Sequence, residues 1–246
     1  MHGFLACRHV HNELGKLVGV AGSFGFICHG AKIGPDCAGR KSKLCGGRFQ
    51  TDPLPGFLPD ERAKAGNLFW QAFAGKLGRI MSPPDKARAF FTATLDPSFC
   101  LCARNAKGEL LGLAGFKTAQ GGFAGGGFRE LAACYGWFGA LWRGLLLAPL
   151  ERDLEPDTLL MDGIFVDEAA RGMGAGSALL SAVKDETRAR NLSNLRLDVI
   201  DTNPRARALY ERQGFVALAD SNTGPLRWLF GFSTATTMVW TARPPE

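Results

Sequence analysis

Histidine is absent from most of this chain. All four histidines of the 246 residues lie before residue 30, so the rest of the chain has no histidine to act as a base. The four cysteines before residue 46 are 21, 9 and 8 residues apart. Zinc modules hold their ligands in close pairs, so this spacing disfavours a metal site. The odd total of seven cysteines favours free thiols in a reducing compartment, and we expect a cytoplasmic protein.

Net charge is also scarce outside the N-terminal segment. The formal charge is +6, but residues 1–49 hold seven basic and two acidic residues. That surplus of five leaves a surplus of one for all the remaining residues. A nearly neutral body disfavours a general nucleic-acid-binding function.

Uninterrupted apolar runs long enough to cross a membrane are lacking. Residues 131–150 approach that length, but Arg143 near the middle and Pro149 near the end argue against a span. Residues 17–28 lack the short leader and the cleavage site of a secretory signal. We therefore expect no membrane partner, and a buried or groove-lining helix over 128–150.

The order of predicted elements indicates one α/β domain. Residues 1–49 show no sustained period and are rich in glycine, so we interpret them as an irregular leader, either disordered or added by a start codon assigned too early. From residue 50 to 243, the patterns predict two helices, a hairpin turning at 105–108, a glycine loop at 121–127 and the apolar helix. A strand, a helix over 172–191, a strand, a helix capped by Asn203 and two closing strands follow. This alternation predicts a mixed sheet flanked by helices.

Three glycines within residues 172–176 open a predicted helix. A dinucleotide fingerprint needs a third glycine three residues after the second, and a nucleoside-triphosphate loop needs a lysine, and both are missing. The physical property that remains is an anion site, because successive amides at a helix N-terminus attract a phosphate.

The residues around these glycines resemble a known family. Arg171-x-x-Gly174-x-Gly176, after a strand ending at Val166, is similar to the acetyl-CoA motif Q/R-x-x-G-x-G/A of the GNAT superfamily of N-acetyltransferases. The stretch LRLDVIDTNPRARALYERQGF resembles that family's closing strand, asparagine, helix and Gly-Phe. The order of elements extends the resemblance over about residues 50–241. It implies the family's fold, a mixed and mostly antiparallel sheet flanked by helices.

The resemblance also implies acetyl-CoA as co-substrate, with no metal. Main-chain amides at the glycines would hold the pyrophosphate, the end of the preceding strand would pair with the pantetheine arm, and an asparagine would bond that arm. The implied CoA-binding residues are Ile164, Phe165, Val166, Arg171, Gly172, Met173, Gly174, Ala175, Gly176, Ser177, Asn203 and Tyr210.

Acetyl transfer to an amine requires a proton acceptor, an oxyanion donor and an acid for the leaving thiolate. Tyr210 stands at the position of the family's acid. Asp162 and Asp198 each interrupt an apolar strand, where a charge is costly unless it has a task or a partner. Either carboxylate is a candidate base, directly or through water, and the alternative for each is amine recognition or a structural hydrogen bond. The main-chain N–H of Val166 is the candidate oxyanion donor.

The predicted function is acetyl-CoA-dependent transfer of acetyl directly to a primary amine of a small molecule or a protein. Residues 121–150 and the loop at 228–232 should shape the acceptor pocket, although the aromatic residues Tyr135, Trp137, Phe138 and Trp142 would also serve a homodimer interface. One alternative is a catalytically silent CoA-binding sensor. Another is a metal- or nucleic-acid-binding protein that acts through the leader.

Overall fold

The computed structural model describes residues 56–150 and 152–242 together with the main chain of residues 50–52. The leader predicted over residues 1–49, with its histidines and four cysteines, lies outside the described residues. Within the described part, no helix is both long enough and apolar enough to cross a bilayer.

The helices and strands follow the predicted order. The helices are α1 (Arg62–Leu77), α2 (Pro84–Thr94), α3 (Phe128–Leu147), α4 (Ala175–Ala189), α5 (Pro204–Arg212) and the short α6 (Arg227–Phe230). The strands are β1 (Gln50–Asp52), β2 (Cys100–Arg104), β3 (Leu110–Thr118), β4 (Gly121–Gly122), β5 (Thr158–Val166), β6 (Asn194–Ile200), β7 (Val216–Asn222) and β8 (Thr234–Thr241).

The strands form one mixed sheet in the order β1-β2-β3-β5-β6-β8-β7, and β4 adds to β3. β5 and β6 run parallel because α4 connects them, and the other pairings are antiparallel. The prediction of a mixed, mostly antiparallel sheet flanked by helices is confirmed.

Each face of the sheet is covered by its own apolar cluster. On one face, α1 and α2 pack phenylalanines against β5, as in the contacts of Phe69 with Phe91 and Phe165, whose ring centroids are 4.6 and 5.3 Å away. On the other face, the predicted apolar side of α4 packs mainly on β2, β3 and β5 through buried residues such as Leu179 and Val183. The burial of each such apolar side chain contributes about 2 kcal/mol to the free energy of folding. The clusters on the two faces therefore both stabilise the central strands of the sheet.

The structure differs from the predicted boundaries in three places. The helix predicted from residue 172 begins at Ala175, because Gly172 and Gly174 have φ of 77° and 94°, in the left-handed region. The predicted glycine loop at 121–127 contains β4 and a bridge from Ala124 to Leu95. The helix predicted over 128–150 ends at Leu147 and is interrupted at Gly136 (φ 73°, ψ 165°).

Candidate functional site

β5 and β6 separate part of the way along their length. Their parallel pairing runs from Thr158 and Asn194 to Leu160 and Arg196. Beyond this point, β5 continues to pair with β3, and β6 with β8. The two facing edges therefore form a wedge, where main-chain groups of one strand have no partner on the other. An extended ligand can add to such an edge through main-chain hydrogen bonds.

The direction of the amides places one donor inside this wedge. Asp167 N–H donates to the Leu111 carbonyl oxygen across the β3 edge, at 2.8 Å. Amide directions alternate along an antiparallel strand, so the N–H of Val166 points away from β3 and towards the wedge.

A β-bulge in β5 sets which side chains face which layer. Gly163 lies opposite Gly115, and Met161 lies opposite Phe116, so Asp162 is the extra residue. Leu160 and Asp162 face the α1 layer. Beyond the bulge, Phe165 faces this layer too, whereas Ile164 and Val166 pack on the α4 side. Bulges re-aim side chains and disrupt the ladder locally, and here the bulge lies where β5 leaves β6.

The two predicted carboxylates lie together at the opening of the wedge. Asp162 and Asp198 each stand two residues beyond the last paired couple, on the same face of the sheet. Arg152 joins them, with Nη2 3.1 Å from Asp162 Oδ1 and Nη1 3.2 Å from Asp198 Oδ2. Asp198 Oδ1 also accepts a hydrogen bond from Thr237 Oγ1 at 2.7 Å.

The surroundings of Asp162 favour its protonated form more than water does. Burial raises the pKa of Asp162, and three contributions partly offset this: the charge of Arg152, a backbone hydrogen bond from Ala124 and the charge of Lys117. A carboxylate whose pKa lies above its ordinary value is a better proton acceptor than a solvated one.

A cavity of about 1250 Å³ opens beside this pair of carboxylates. Asp162, Asp198 and Arg152 line its charged end, and much of the remaining wall is phenylalanine and leucine from α1, α2, α3 and residues 226–232. The cavity exceeds the roughly 300–1,000 Å³ of most small-molecule sites. The residues predicted to bind CoA do not line it.

The part of the chain predicted to shape the acceptor pocket lines this cavity, but not through the side chains that were singled out. Phe128, Leu131 and Phe230 line the cavity, whereas Trp137 and Phe138 are 72% and 88% exposed on the outer side of α3. Trp142 and Trp228 are also exposed, and the Tyr135 hydroxyl donates to the Met81 carbonyl oxygen at 2.7 Å. The interruption at Gly136 changes the direction of the side chains along α3. A regular helical period through this segment therefore does not predict which of its side chains face the cavity.

The glycine turn presents main-chain donors to the other end of the wedge. Gly174 caps α4 in the left-handed conformation, and an added Cβ there or at Gly172 would meet no atom within 4 Å. Among the described residues, the amides of Ala175, Gly176 and Ser177 have no recorded acceptor. Arg171 and Met173 are exposed, and Glu168, 3.9 Å away, is the one carboxylate within ion-pair distance of Arg171 in the described part of the chain. Such a turn can receive a phosphate.

Asn203 caps the start of α5, next to the end of β6, and Tyr210 lies within that helix. The Asn203 Oδ1 caps this helix by accepting from Ala206 N–H at 3.2 Å, as predicted. Tyr210 is buried, with its ring 5.8 Å from that of Phe215. Burial raises the pKa of Tyr210 to about 12, so its phenol remains a proton donor at neutral pH.

Sequence reasoning missed Arg152 and Lys76. Arg152 follows the apolar helix in an irregular stretch, where no period indicates its direction. Lys76 carried a usable signal, because it lies three residues after Phe73 and seven after Phe69, on the apolar face of α1.

The described cysteines do not form a nucleophilic site. Cys100 and Cys102 are buried, and the Cys102 thiol together with burial raises the pKa of Cys100. A thiol kept protonated is a poor nucleophile.

Known proteins resemble this chain in sequence and in fold. The acetyltransferase (GNAT) family matches residues 65–215, more than half of the chain. Over 54 residues, the chain is 46% identical to a mycothiol acetyltransferase from Beutenbergia cavernae, a match that covers 22% of this chain and only 18% of that protein.

Solved structures of similar fold include a GCN5-related N-acetyltransferase from Kribbella flavida (17% identity, TM-score 0.51, covering 78% of this chain and 97% of that one). An N-acetyltransferase from Staphylococcus aureus Mu50 has 15% identity and a TM-score of 0.51, and covers 79% of this chain and 99% of its own. At such identities the likeness concerns the fold alone.

Proposed function

The chain belongs to the acetyltransferase (GNAT) family, and from that premise we propose that it transfers acetyl from acetyl-CoA to a primary amine of a small molecule or a protein. The observation that carries this proposal is the pair of carboxylates, Asp162 and Asp198, at the opening of the wedge between β5 and β6. We place the protein in the cytoplasm, which suits the free thiols of Cys100, Cys102 and Cys134.

Acetyl-CoA would lie along the wedge. The pyrophosphate would take hydrogen bonds from the amides at Gly172, Gly174, Ala175, Gly176 and Ser177, with Arg171 and Met173 beside it. The pantetheine arm would add to the free edge of β5 at Ile164, Phe165 and Val166, and the amide of Asn203 would reach it from the β6 side. The thioester would then meet the carboxylates from one side while the acceptor meets them from the cavity.

The transfer requires no covalent enzyme intermediate. Asp162 accepts a proton from the acceptor ammonium, directly or through water, and the amine nitrogen forms a bond to the thioester carbon. Val166 N–H stabilises the oxyanion of the tetrahedral intermediate. The C–S bond then breaks, and Tyr210 gives its proton to the leaving thiolate. The extra proton that remains on the acceptor nitrogen passes through water to the Tyr210 phenolate, and Asp162 releases its proton to solvent.

Asp198 and Arg152 have a positioning role in this scheme. Thr237 fixes one oxygen of Asp198, and Arg152 fixes the other together with Asp162. An arriving ammonium can replace one guanidinium contact, so the site already has the charge pattern that a cationic acceptor requires.

The test is an amine-panel assay that measures release of the CoA thiol with acetyl-CoA as donor. We expect release that depends on the amine and on the enzyme. Binding of acetyl-CoA without turnover of any amine would instead favour a catalytically silent CoA sensor.

A further inference from the structure

Two cations that line the cavity, Lys76 and Lys117, have no ion-pair partner among the described residues. Four basic and four acidic side chains line the cavity. Arg152 joins Asp162 and Asp198, and Arg196 Nη1 lies 2.7 Å from Glu155 Oε1. Among the described residues, no carboxylate lies within ion-pair distance of the Lys76 ammonium.

Aromatic rings fix the position of this ammonium inside the cavity. Lys76 Nζ lies 5.3 Å from the ring centroid of Phe73 and 5.7 Å from that of Phe232, and all three residues line the cavity. Two rings from different elements therefore hold the charge where α1 meets the residues after α6. Contacts of this kind hold a cation in place but do not neutralise it.

An anion bound beside Lys76 would stabilise the charged form of its side chain. Burial and the charge of Arg152 together lower the pKa of Lys76 to about 8, although the charge of Asp198 partly offsets them. The ammonium is still largely protonated at neutral pH, so it can pair with an anionic ligand. The charges of Arg152 and Asp198 both affect the pKa of Lys76. Lys76 therefore belongs to the same charged end of the cavity as the candidate base.

The other end of the cavity is apolar and reaches the surface. Phe128 and Leu131 line its inner wall, and Leu141 and Leu145 stand half exposed at its rim on α3. With about 1250 Å³ available, a small amine would leave most of this apolar wall in contact with water.

We propose that the acceptor is an amphipathic α-amino acid, whose amine faces Asp162 and Asp198, whose carboxylate pairs with Lys76, and whose long apolar side chain lies along α3. This inference rests on the proposed acetyl transfer, and it adds the class of acceptor and the residue that selects it. A carboxylate is the anion that fits Lys76, because Phe73 and Phe232 hold its ammonium inside the cavity without neutralising it. The other ammonium, that of Lys117, already acts on Asp162 by lowering its pKa.

The test compares α-aminodecanoate with its carboxamide analogue α-aminodecanamide, which lacks the carboxylate charge, in the wild type and in Lys76→Gln. The ratio of the two kcat/KM values, compared between the proteins, cancels the intrinsic difference in amine reactivity. We expect Lys76→Gln to lower this ratio by about 10- to 100-fold, as for a lost charged hydrogen bond. Alanine should be a poorer acceptor than α-aminodecanoate, by about fourfold for each missing methylene over the first few.

Two variants guard against a trivial loss of structure. Lys76→Arg keeps the charge and should retain most of the preference for the carboxylate. Lys86→Gln removes another lysine that stands over an aromatic ring, 5.7 Å from Tyr135 but exposed and outside the cavity, and should leave the ratio unchanged. An equal loss with both acceptors in Lys76→Gln, or no preference in the wild type, would overturn the proposal.

Calorimetric binding of the acetylated compounds separates this inference from the proposed function. N-acetyl-α-aminodecanoate should bind more tightly than N-acetyl-α-aminodecanamide, and Lys76→Gln should remove the difference. If this holds while no amine is acetylated, the ligand class stands and acetyl transfer fails. If amines are acetylated without regard to charge, acetyl transfer stands and this inference fails.

Discussion

At the scale of single residues, two aspartates that look alike in the sequence have different surroundings. Asp162 is the extra residue of a bulge, and burial raises its pKa. Asp198 lies in a regular strand and is held by Thr237 and Arg152. We therefore assign proton acceptance to Asp162 and positioning to Asp198.

Replacing each aspartate by asparagine should separate these two roles. An aspartate acts as a base only when it is ionised. The raised pKa of Asp162 should therefore move the acidic limb of the pH profile of kcat/KM to a pH above the ordinary pKa range of carboxylates. We expect Asp162→Asn to lower kcat by about 10²- to 10³-fold and to remove that limb. Asp198→Asn should lower kcat/KM less and keep the limb, as measured in pH profiles of initial rates.

The matched control is Asp220→Asn. Asp220 Oδ1 accepts from Thr236 Oγ1 at 2.6 Å, as Asp198 does from Thr237, but it is exposed on β7 and outside the cavity. Activity should be unchanged in this variant. A limb that disappears in Asp198→Asn and persists in Asp162→Asn would reverse the assignment.

Tyr210→Phe should slow the chemical step and spare binding. The phenol is the proposed proton donor to the thiolate, and removing it should lower kcat by about 10²-fold. The ring keeps its packing against Phe215, so thermal stability and the KM for acetyl-CoA should change little. An unchanged kcat in steady-state assays would show that the thiolate takes its proton elsewhere.

At the scale of elements, the site depends on where β5 leaves β6. The bulge at Asp162 and the end of pairing at Leu160 together open the wedge and turn both carboxylates to one face. The glycine turn before α4 lies at the other end of the same wedge. In the proposed mechanism, the edge of β5 and the glycine turn hold the acetyl donor, and the bulge positions the carboxylate that meets the acceptor.

The sequence predicted much of this arrangement but not its geometry. Apolar periods and caps predicted the strands and helices, whereas the left-handed glycines before α4 delay that helix from the predicted residue 172 to Ala175. The bulge was not predictable, because register depends on the pairing of distant strands. The direction of Arg152 and the outward turn of Trp137 and Phe138 were missed, since the first lies in irregular chain and the second depends on the break at Gly136.

Gly174→Ala should weaken acetyl-CoA binding. With φ at 94°, alanine would cost about 1–2 kcal/mol of conformational free energy, and its methyl group would stand where we place a phosphate. We expect the KM for acetyl-CoA to rise about 10-fold, with a smaller change in the KM for the amine.

Gly108→Ala is the control for backbone strain. Gly108 also has positive φ, at 82°, and open space around its Cα, but it lies in the turn between β2 and β3. Both variants should lose similar unfolding free energy, and only Gly174→Ala should change the KM for acetyl-CoA. An equal rise in both would mean that strain alone is responsible.

At the scale of the whole molecule, the tyrosines report on the integrity of the fold. The chain has two tyrosines, Tyr135 and Tyr210, and burial raises the pKa of each to about 12. Arg143 partly offsets this for Tyr135. The two lie on opposite faces of the sheet, so together they sense both cores.

The folded protein should therefore resist ionisation of its tyrosines. We expect little tyrosinate absorbance up to about pH 11, whereas the chain in denaturant should titrate near pH 10. Because the unfolded state loses these protons first, the free energy of unfolding should fall as the pH rises from about 10 towards 12. Tyr210→Phe should halve the tyrosinate signal, and titration of the folded protein near pH 10 would contradict this account of both cores.

The central claim is that acetyl passes directly from acetyl-CoA to an amine at the wedge between β5 and β6. The most direct measurement is mass spectrometry of quenched reactions, following the amine and the intact protein together while the CoA thiol is released. The account predicts that acetylated amine forms in step with the CoA thiol, while the protein keeps its unmodified mass. An acetylated protein that precedes the product, or thiol release without acetylated amine, would contradict it.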